Sequence, residues 1–464
     1  MLLVLLPVFG ALLALAIRRM PAIISTSTAI VELIVLLAAL YYFVRYGSLQ
    51  NSYSYILPLG INFGFALTNI TFVFAMLTAI VFLAAAIANI VFIKEEKLGY
   101  NSLFMLAESA VFGIFLSENL FLLYLFWDTA IIIFFFMLFH FGGYDRRYAA
   151  VKFVLYSIFS SAMLLIGIMM IYFYMPVHTF NISQVISSAG LIPHTEQLEV
   201  LIVLMLAFMV KLPVFPFHSW APDAYSEAPA GSAMLLSGVL SKFGAYGMLL
   251  LFISLPIAKT YSIYFAELFA FSAIYAAFVA MNQKELRRML SYLSISEMGI
   301  IAFGISSLNS VGIAGALVGI FGHALIIALL FLLAFSIEKA FGTSILARLK
   351  GLLNGSKLIG YVFIFGVLAT LGLPLTSGFI SDLLILLGSA KSFGLIILLP
   401  LFAILINGAY LFWVYERVFT AKEEPRIYEK QNGYIYAAMA LLLVFIIIIG
   451  ILPSIILNNL GAII

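Results

Sequence analysis

The stretch Leu201-Ile-Val-Leu-Met-Leu-Ala-Phe-Met-Val-Lys211-Leu-Pro213-Val-Phe-Pro216-Phe-His218 decides how this chain is read. An unbroken apolar run meets a lysine, and two prolines follow. An ammonium inside a hydrocarbon-spanning helix costs roughly 2.5–3.5 kcal/mol on insertion scales. Proline removes a backbone donor and interrupts the helical ladder. A second lysine, Lys242, lies within the next apolar segment. Protonatable groups beside broken helices in apolar surroundings indicate a path for ions.

Outward from that stretch, the composition sets the class. The chain has 464 residues, 65% of them hydrophobic and 9% charged, with a mean hydropathy of +1.20. A soluble domain carries about 25% charged residues. Apolar stretches of ~20 residues recur from end to end, each long enough to cross a bilayer. They lack the strict alternation of barrel strands, so the expected fold is an all-α, polytopic membrane protein. Cysteine is absent, which removes disulfides, thiolate metal sites and Fe–S ligands. The net charge of +3 carries no nucleic-acid signal, because the basic residues sit in loops. Leu2–Ile17, followed by Arg18-Arg19, lacks a basic start and a small-residue cleavage site, so it reads as the first helix and not as a signal peptide.

About fourteen spans are expected, at roughly 2–17, 24–44, 68–93, 102–117, 119–141, 150–175, 198–220, 230–254, 260–281, 289–307, 310–337, 357–388, 394–418 and 433–457. The 23 lysines and arginines test this count. With loops after odd-numbered spans placed in the cytoplasm, eighteen fall on that side, among them Lys422, Arg426 and Lys430. Only Arg45, Lys259 and Lys391 fall on the other side, and Lys211 and Lys242 lie within spans. That bias follows the positive-inside rule and puts both termini outside a plasma or equivalent energy-coupling membrane. The longest polar connection, about 175–198, holds His178, His194, Glu196 and Glu199 and reads as an ordered surface loop. No soluble segment is large enough to hold a cofactor.

Spans 7 and 12 carry mid-membrane breaks. Span 7 has Pro213 and Pro216; span 12 has Gly372-Leu-Pro374, then Gly378 and Asp382. Gly322-His323 marks a softer point in span 11. Interrupted helices in matching places of two halves point to inverted repeats, here spans 4–8 and 9–13. The expected divisions are 1–100 (three helices), 101–255 and 256–425 (the two five-helix repeats) and 426–464 (the last helix).

Of the intramembrane ionisable groups, Asp128 paired with Lys211 would stay ionised and hold the lysine charged; the plainer reading is a static ion pair. Lys242 lies too deep for easy snorkelling and suits a proton acceptor from Lys211. His323 reads equally as a relay or a hydrogen-bonded packing residue. Asp382, after a break and a glycine, is reachable by water. Pro213 and Pro374 shape the breaks, and His218 and Asp223 lie where span 7 leaves the membrane, as gating or structural residues. Glu297 joins the gating or structural residues without a more specific role, Glu108 has none assigned by its position, and Glu32, Glu267 and Glu416 read as span-end or unpaired acids. A phosphate-binding loop, a zinc-protease helix and a serine-nucleophile turn are absent from the sequence. Five scattered histidines make a bis-histidine haem a poor fit.

The motif Lys211-Leu-Pro-Val-Phe-Pro-Phe-His218-Ser-Trp220-Ala-Pro222-Asp223-Ala-Tyr-Ser-Glu227-Ala-Pro229, then Leu240-Ser-Lys242-Phe-Gly244-Ala-Tyr246-Gly247, resembles the antiporter-like subunits of respiratory complex I. The family also takes in subunits of multi-subunit cation/proton antiporters and of energy-converting hydrogenases. Lys284-Glu-Leu-Arg287-Arg-Met-Leu-Ser-Tyr292-Leu-Ser-Ile-Ser-Glu-Met-Gly299, Gly322-His323-Ala-Leu and Gly372-Leu-Pro374-Leu-Thr-Ser-Gly378-Phe-Ile-Ser-Asp382 extend the match over spans 4–13.

The resemblance implies a fourteen-helix inverted-repeat fold and a proton channel through Asp128, Lys211, Lys242, His323 and Asp382. The chain departs from the family pattern at three places. Asp128 stands where Glu is usual, which lengthens its reach to Lys211 or calls for a water bridge. Ile327 stands where a lysine often follows the span-11 histidine, and Asp382 stands where relatives carry Lys or Glu. A carboxylate at 382, and no long lateral helix, argue against the most distal subunit type.

The expected function is a proton-translocating membrane-arm subunit of a complex I-like redox pump, with sodium as an alternative ion. The chain itself would carry no cofactor; Fe–S clusters and flavin would sit in a peripheral redox arm, with other membrane-arm subunits as neighbours. The alternative is a subunit of a cation/proton antiporter driven by ion gradients.

Overall fold

The structure is a computed structural model in which residues 1–46, 49–56, 61–421 and 431–457 are described. Lys422, Arg426 and Lys430, counted above in a cytoplasmic loop, lie outside the described residues, as does part of the expected 426–464 segment.

Helices α1 (Leu2–Ile17) and α2 (Pro21–Tyr46) precede a hairpin of β1 (Leu49–Ile56) and β2 (Ile61–Leu67). Then come α3 (Asn69–Phe92), α4 (Lys97–Leu116), α5 (Leu120–Phe141), α6 (Arg146–Tyr174) and the short α7 (Ile182–Ser188). The expected span 7 is α8 (His194–Lys211), a run of turns, and α9 (Trp220–Glu227). Span 8 is α10 (Ala230–Leu235), a π-helical turn at Leu236–Leu240, and α11 (Lys242–Ser254). After α12 (Ala258–Met281), α13 (Leu286–Ser306) and α14 (Ser310–Phe341) comes the short α15 (Leu352–Gly355). Span 12 is α16 (Lys357–Thr370) and α17 (Ser377–Phe393); α18 (Leu398–Phe419), α19 (Gly433–Ile451) and α20 (Ser454–Leu457) complete the described chain. Among the described residues, eleven helical segments are long and apolar enough to cross a bilayer.

The fold departs from the all-α expectation at the hairpin. β1 and β2 pair antiparallel, with Asn51 opposite Phe65 and Tyr53 opposite Phe63, and a register shift between Ser54 and Ile56. Aromatic residues alternating with polar ones suit a half-buried ribbon. The ribbon is anchored on the α4–α5 turn, where the Glu118 N–H donates to Gly64 O at 3.0 Å and the Phe65 ring lies 6.0 Å from that of Phe126. The same turn holds the long 175–198 connection: Leu120 N–H donates to Phe180 O and Ile182 N–H to Glu118 O, both at 2.8 Å. That connection is ordered, and it contains α7.

At the buried centre, α3 and α14 touch each other and are nearly free of exposed surface. α14 is continuous through Gly322-His323, against the expectation of a weak point there. Its glycines answer to packing. Cβ atoms at Gly315, Gly319 and Gly322 would press on Ile385 N, Ser381 Oγ and Ser377 Oγ of α17. Small residues at such spacing let helices approach closely in a membrane. Asn309 locks the same pair, accepting from Gly312 N–H at 2.9 Å and donating to Gly388 O at 2.8 Å. His323 and Asp382 are thereby set on two tightly joined helices.

Candidate functional site

Pro213 ends α8 at Lys211, and the freed backbone groups find other partners. Leu212 N–H donates to Phe208 O at 2.8 Å, Val214 N–H reaches back five residues to Met209 O at 3.2 Å, and Phe217 N–H turns onto Val214 O at 2.8 Å. Trp220 Nε1–H caps the Val210 carbonyl at 2.9 Å, and Phe215 N–H donates to Ser272 Oγ of α12 at 2.9 Å. The Phe215–Pro216 peptide is cis. Lys211 is fully buried at this break. Its Nζ donates to Ser157 Oγ of α6 at 2.7 Å and lies 5.1 Å and 5.9 Å from the ring centroids of Phe153 and Trp220.

Asp128 makes no ion pair with Lys211. Instead Ser161 donates to Asp128 Oδ1. Ser157 and Ser161 lie one turn apart on α6, so the ammonium and the carboxylate each bond a different serine of that helix. Serines on an apolar helix are common enough that no sequence signal marked these two.

Lys242 is also fully buried. The π-helical turn before it replaces an ordinary bond with one from Ser241 N–H to Leu236 O at 3.3 Å, five residues back. Lys242 Nζ then donates to Ser237 O at 2.9 Å and Ser241 Oγ at 3.0 Å, and meets His323 Nδ1 at 2.6 Å. Such turns often mark functional positions; LSGVL carries no proline to announce one.

No hydrogen bond joins Lys211 to Lys242 among the described residues. The Trp127 ring packs on Phe208 at 6.4 Å and on Phe243 at 5.4 Å. Phe208 precedes Lys211 by three residues and Phe243 follows Lys242, so aromatic packing accompanies the space between the lysines.

Beyond His323 lies a cavity of about 20 Å³, room for roughly one water. Glu297, His323, Thr370, Ser377, Ser381 and Asp382 are among the residues lining it. Glu297 Oε1 accepts from Asn407 Nδ2 at 3.1 Å, and its carboxylate lines the cavity together with that of Asp382. Asp382 follows the second break, at Leu371–Thr376. There Leu371 N–H donates to Val367 O at 3.1 Å, Leu373 N–H to Leu368 O at 2.8 Å and Thr376 N–H to Leu373 O at 3.1 Å. These are the three bonds of the first break, each shifted by 159 residues. Asp223 and Asp382 are related by the same shift.

Asp223 sits at the far end of the first break. Its two oxygens take Lys152 Nζ of α6 and Arg288 Nη1 of α13, each at 2.7 Å. His218 is buried between Phe215 and Tyr275. Pro374 stands within the second break, before Leu375 with its positive φ of 73°.

Sequence reasoning misplaced one acid. Glu32 lies mid-way along α2, fully buried, and α2 packs on α4, whose Glu108 is equally buried. The signal was present in the inward stripe Ser25, Ala29, Glu32, Leu36 at helical spacing. The structure thus brings together Lys242, His323, Glu297 and Asp382, and sets Asp128 and Lys211 apart across two serines.

The chain itself has known relatives. The chain is 32% identical over 411 residues to NADH-quinone oxidoreductase subunit M of Rickettsia felis, covering 88% of this chain and 83% of that one. It is 29% identical to F(420)H(2) dehydrogenase subunit M of Methanosarcina mazei, covering 87% and 81%. Among solved structures, a chain of respiratory complex I from Thermus thermophilus superposes with a TM-score of 0.91 at 25% identity, over 100% of this chain and 97% of the other. A family profile described as NADH:quinone oxidoreductase/Mrp antiporter, transmembrane, matches residues 117–407. The chain belongs to this NADH:quinone oxidoreductase/Mrp antiporter membrane family.

Proposed function

We propose that this chain is a proton-translocating membrane-arm subunit of a redox-driven respiratory complex of the complex I type. The observation that carries the reading is the 2.6 Å contact between Lys242 Nζ and His323 Nδ1, which opens onto a cavity lined by two carboxylates. Electron transfer, with its Fe–S clusters and flavin, belongs to partner subunits of a peripheral arm; neighbouring membrane subunits complete the other. The translocated ion is the proton. In this reading the chain crosses the membrane fourteen times with both termini outside. The matching backbone bonds of the two breaks support inverted repeats at about 101–255 and 256–425, flanked by an N-terminal three-helix segment and a last helix from about 426.

A rearrangement in a partner would move Asp128 relative to Lys211. A unit charge pair is worth ~4 kcal/mol at 4 Å with an effective dielectric near 20, and about 2 kcal/mol at twice that distance. Even the smaller value changes proton occupancy by roughly 30-fold. The proton released at Lys211 passes to Lys242, moves to His323, and leaves through the cavity at Asp382. His218, Asp223 and the first proline break hold the cytoplasmic side of this path, and the Pro374 break stands beside its exit at Asp382. The reading is tested by Lys211→Ala in the assembled complex, measured in proteoliposomes. Proton pumping is expected to fall at least 10-fold relative to electron transfer; unchanged coupled pumping rules the relay out.

A further inference from the structure

We propose that Glu297 and Asp382 act as one dicarboxylate that accepts the proton leaving His323, with Asn407 positioning Glu297. This deepens the proton-relay reading and rests on it.

The geometry supplies the direction. A lysine ammonium has only donors, so with Lys242 charged, His323 Nδ1 accepts at 2.6 Å and Nε2 carries the ring hydrogen. Nε2 has no partner among the described residues, is buried, and belongs to a side chain lining the cavity. Both carboxylates line the same cavity, from α13 and α17. Ser377 Oγ, Asn407 Oδ1 and Tyr410 Oη nearby are buried and unpartnered as well. Polar atoms buried this densely need partners, and the cavity has space for a water between Nε2 and a carboxylate.

The transfer balances. One Lys242 N–H bond breaks as an Nδ1–H bond forms. The Nε2–H proton passes through the water, and an O–H bond forms on the dicarboxylate. Lys242 and His323 end neutral, His323 as the other tautomer, and one carboxylate has become a carboxylic acid. Two carboxylates in mutual range share their protons and titrate as a pair.

Asn407 sets the geometry of the acceptor. Its Nδ2 spans Ser296 Oγ at 3.0 Å and Glu297 Oε1 at 3.1 Å, tying α18 to α13. The groups facing Glu297 are Asp382 from α17, His323 from α14 with Lys242 of α11 behind it, and Tyr410 from α18. Glu267 of α12 is exposed, and Arg288 on α13 is held by Asp223 of α9, nine residues from Glu297.

The test is infrared titration of the protonated-carboxyl C=O band of the full chain in lipid nanodiscs, read as differences between wild type and variants. Wild type is expected to show two linked steps at this site. Glu297→Gln and Asp382→Asn should each leave a single step at a new midpoint, and Glu297→Asp should restore two. A single removed step with the remaining one unmoved means independent acids and overturns the proposal. Asn407→Ala should shift the Glu297 band; an unmoved band removes the positioning role. Loss of the band when Na⁺ replaces K⁺ would make this a metal-cation site and also overturn it. Because the titration needs no turnover, the dicarboxylate can fail while the relay stands. Normal pumping by a His323→Ala complex sinks the relay instead.

Discussion

The two helix breaks share a backbone and differ in chemistry. At 212–217 and 371–376 the same three hydrogen bonds recur, and each break is followed by an aspartate at the same distance. Asp223, after the first, is held by two cations at 2.7 Å. Asp382, after the second, faces another carboxylate and a histidine across a small cavity. Lys211 ends the first helix half, and Thr370 stands at the corresponding end of the second. A single interrupted-helix scaffold thus serves twice. With two cations on Asp223 it makes a clasp between α6, α9 and α13; at Asp382, with no such cations, it borders the cavity proposed to take the proton.

The breaks differ in tightness too, and that gives the largest stability effect. A Cβ at Gly378 would collide with the carbonyl oxygen of Ala369, while the corresponding Ser219 carries a side chain bonded to Tyr156 at 2.8 Å. Gly378→Ala should cost about 3 kcal/mol and Ser219→Ala about 1 kcal/mol, read as loss of melting temperature in detergent. Equal costs would show that the likeness of the breaks extends to their packing.

The charge contrast predicts a smaller, asymmetric effect. Asp223→Asn leaves Lys152 and Arg288 without their shared counter-ion; partial exposure of both cations limits the loss to about 2 kcal/mol. Asp382→Asn removes a like-charge neighbour of Glu297 and should change stability by less than about 0.5 kcal/mol. A destabilisation of Asp382→Asn as large as that of Asp223→Asn would erase the distinction between the two breaks.

Much of this could be read from residues alone, for physical reasons. Pro213, Pro216 and a lysine in apolar surroundings announce a break, because proline cannot continue a ladder and a charge in lipid is costly. His323 and Asp382 stood out as ionisable groups in apolar runs. The π-helical turn did not, since Leu236–Leu240 has ordinary helix-compatible residues; a Cβ at its Gly238 would meet Ala324 O at 3.1 Å, a closeness that only the folded packing reveals. Glu297 gained its meaning only when folding brought α17 and α18 against α13. Ser157 and Ser161 were invisible for the same reason: their role lies in what stands on either side of α6. The hairpin was missed because a polar, tyrosine-rich connection between two spans looks like a loop until its pairing is seen.

The central claim is that a proton passes from Lys242 through His323 to the carboxylates beyond. It is tested most directly by the proton-to-electron ratio of the assembled complex carrying His323→Ala, in sealed proteoliposomes with electron transfer monitored in parallel. The ratio is expected to drop while the complex remains assembled, with a Lys242→Ala complex showing the same drop and the double variant no further loss. A His323→Ala complex that pumps with the wild-type ratio would contradict it.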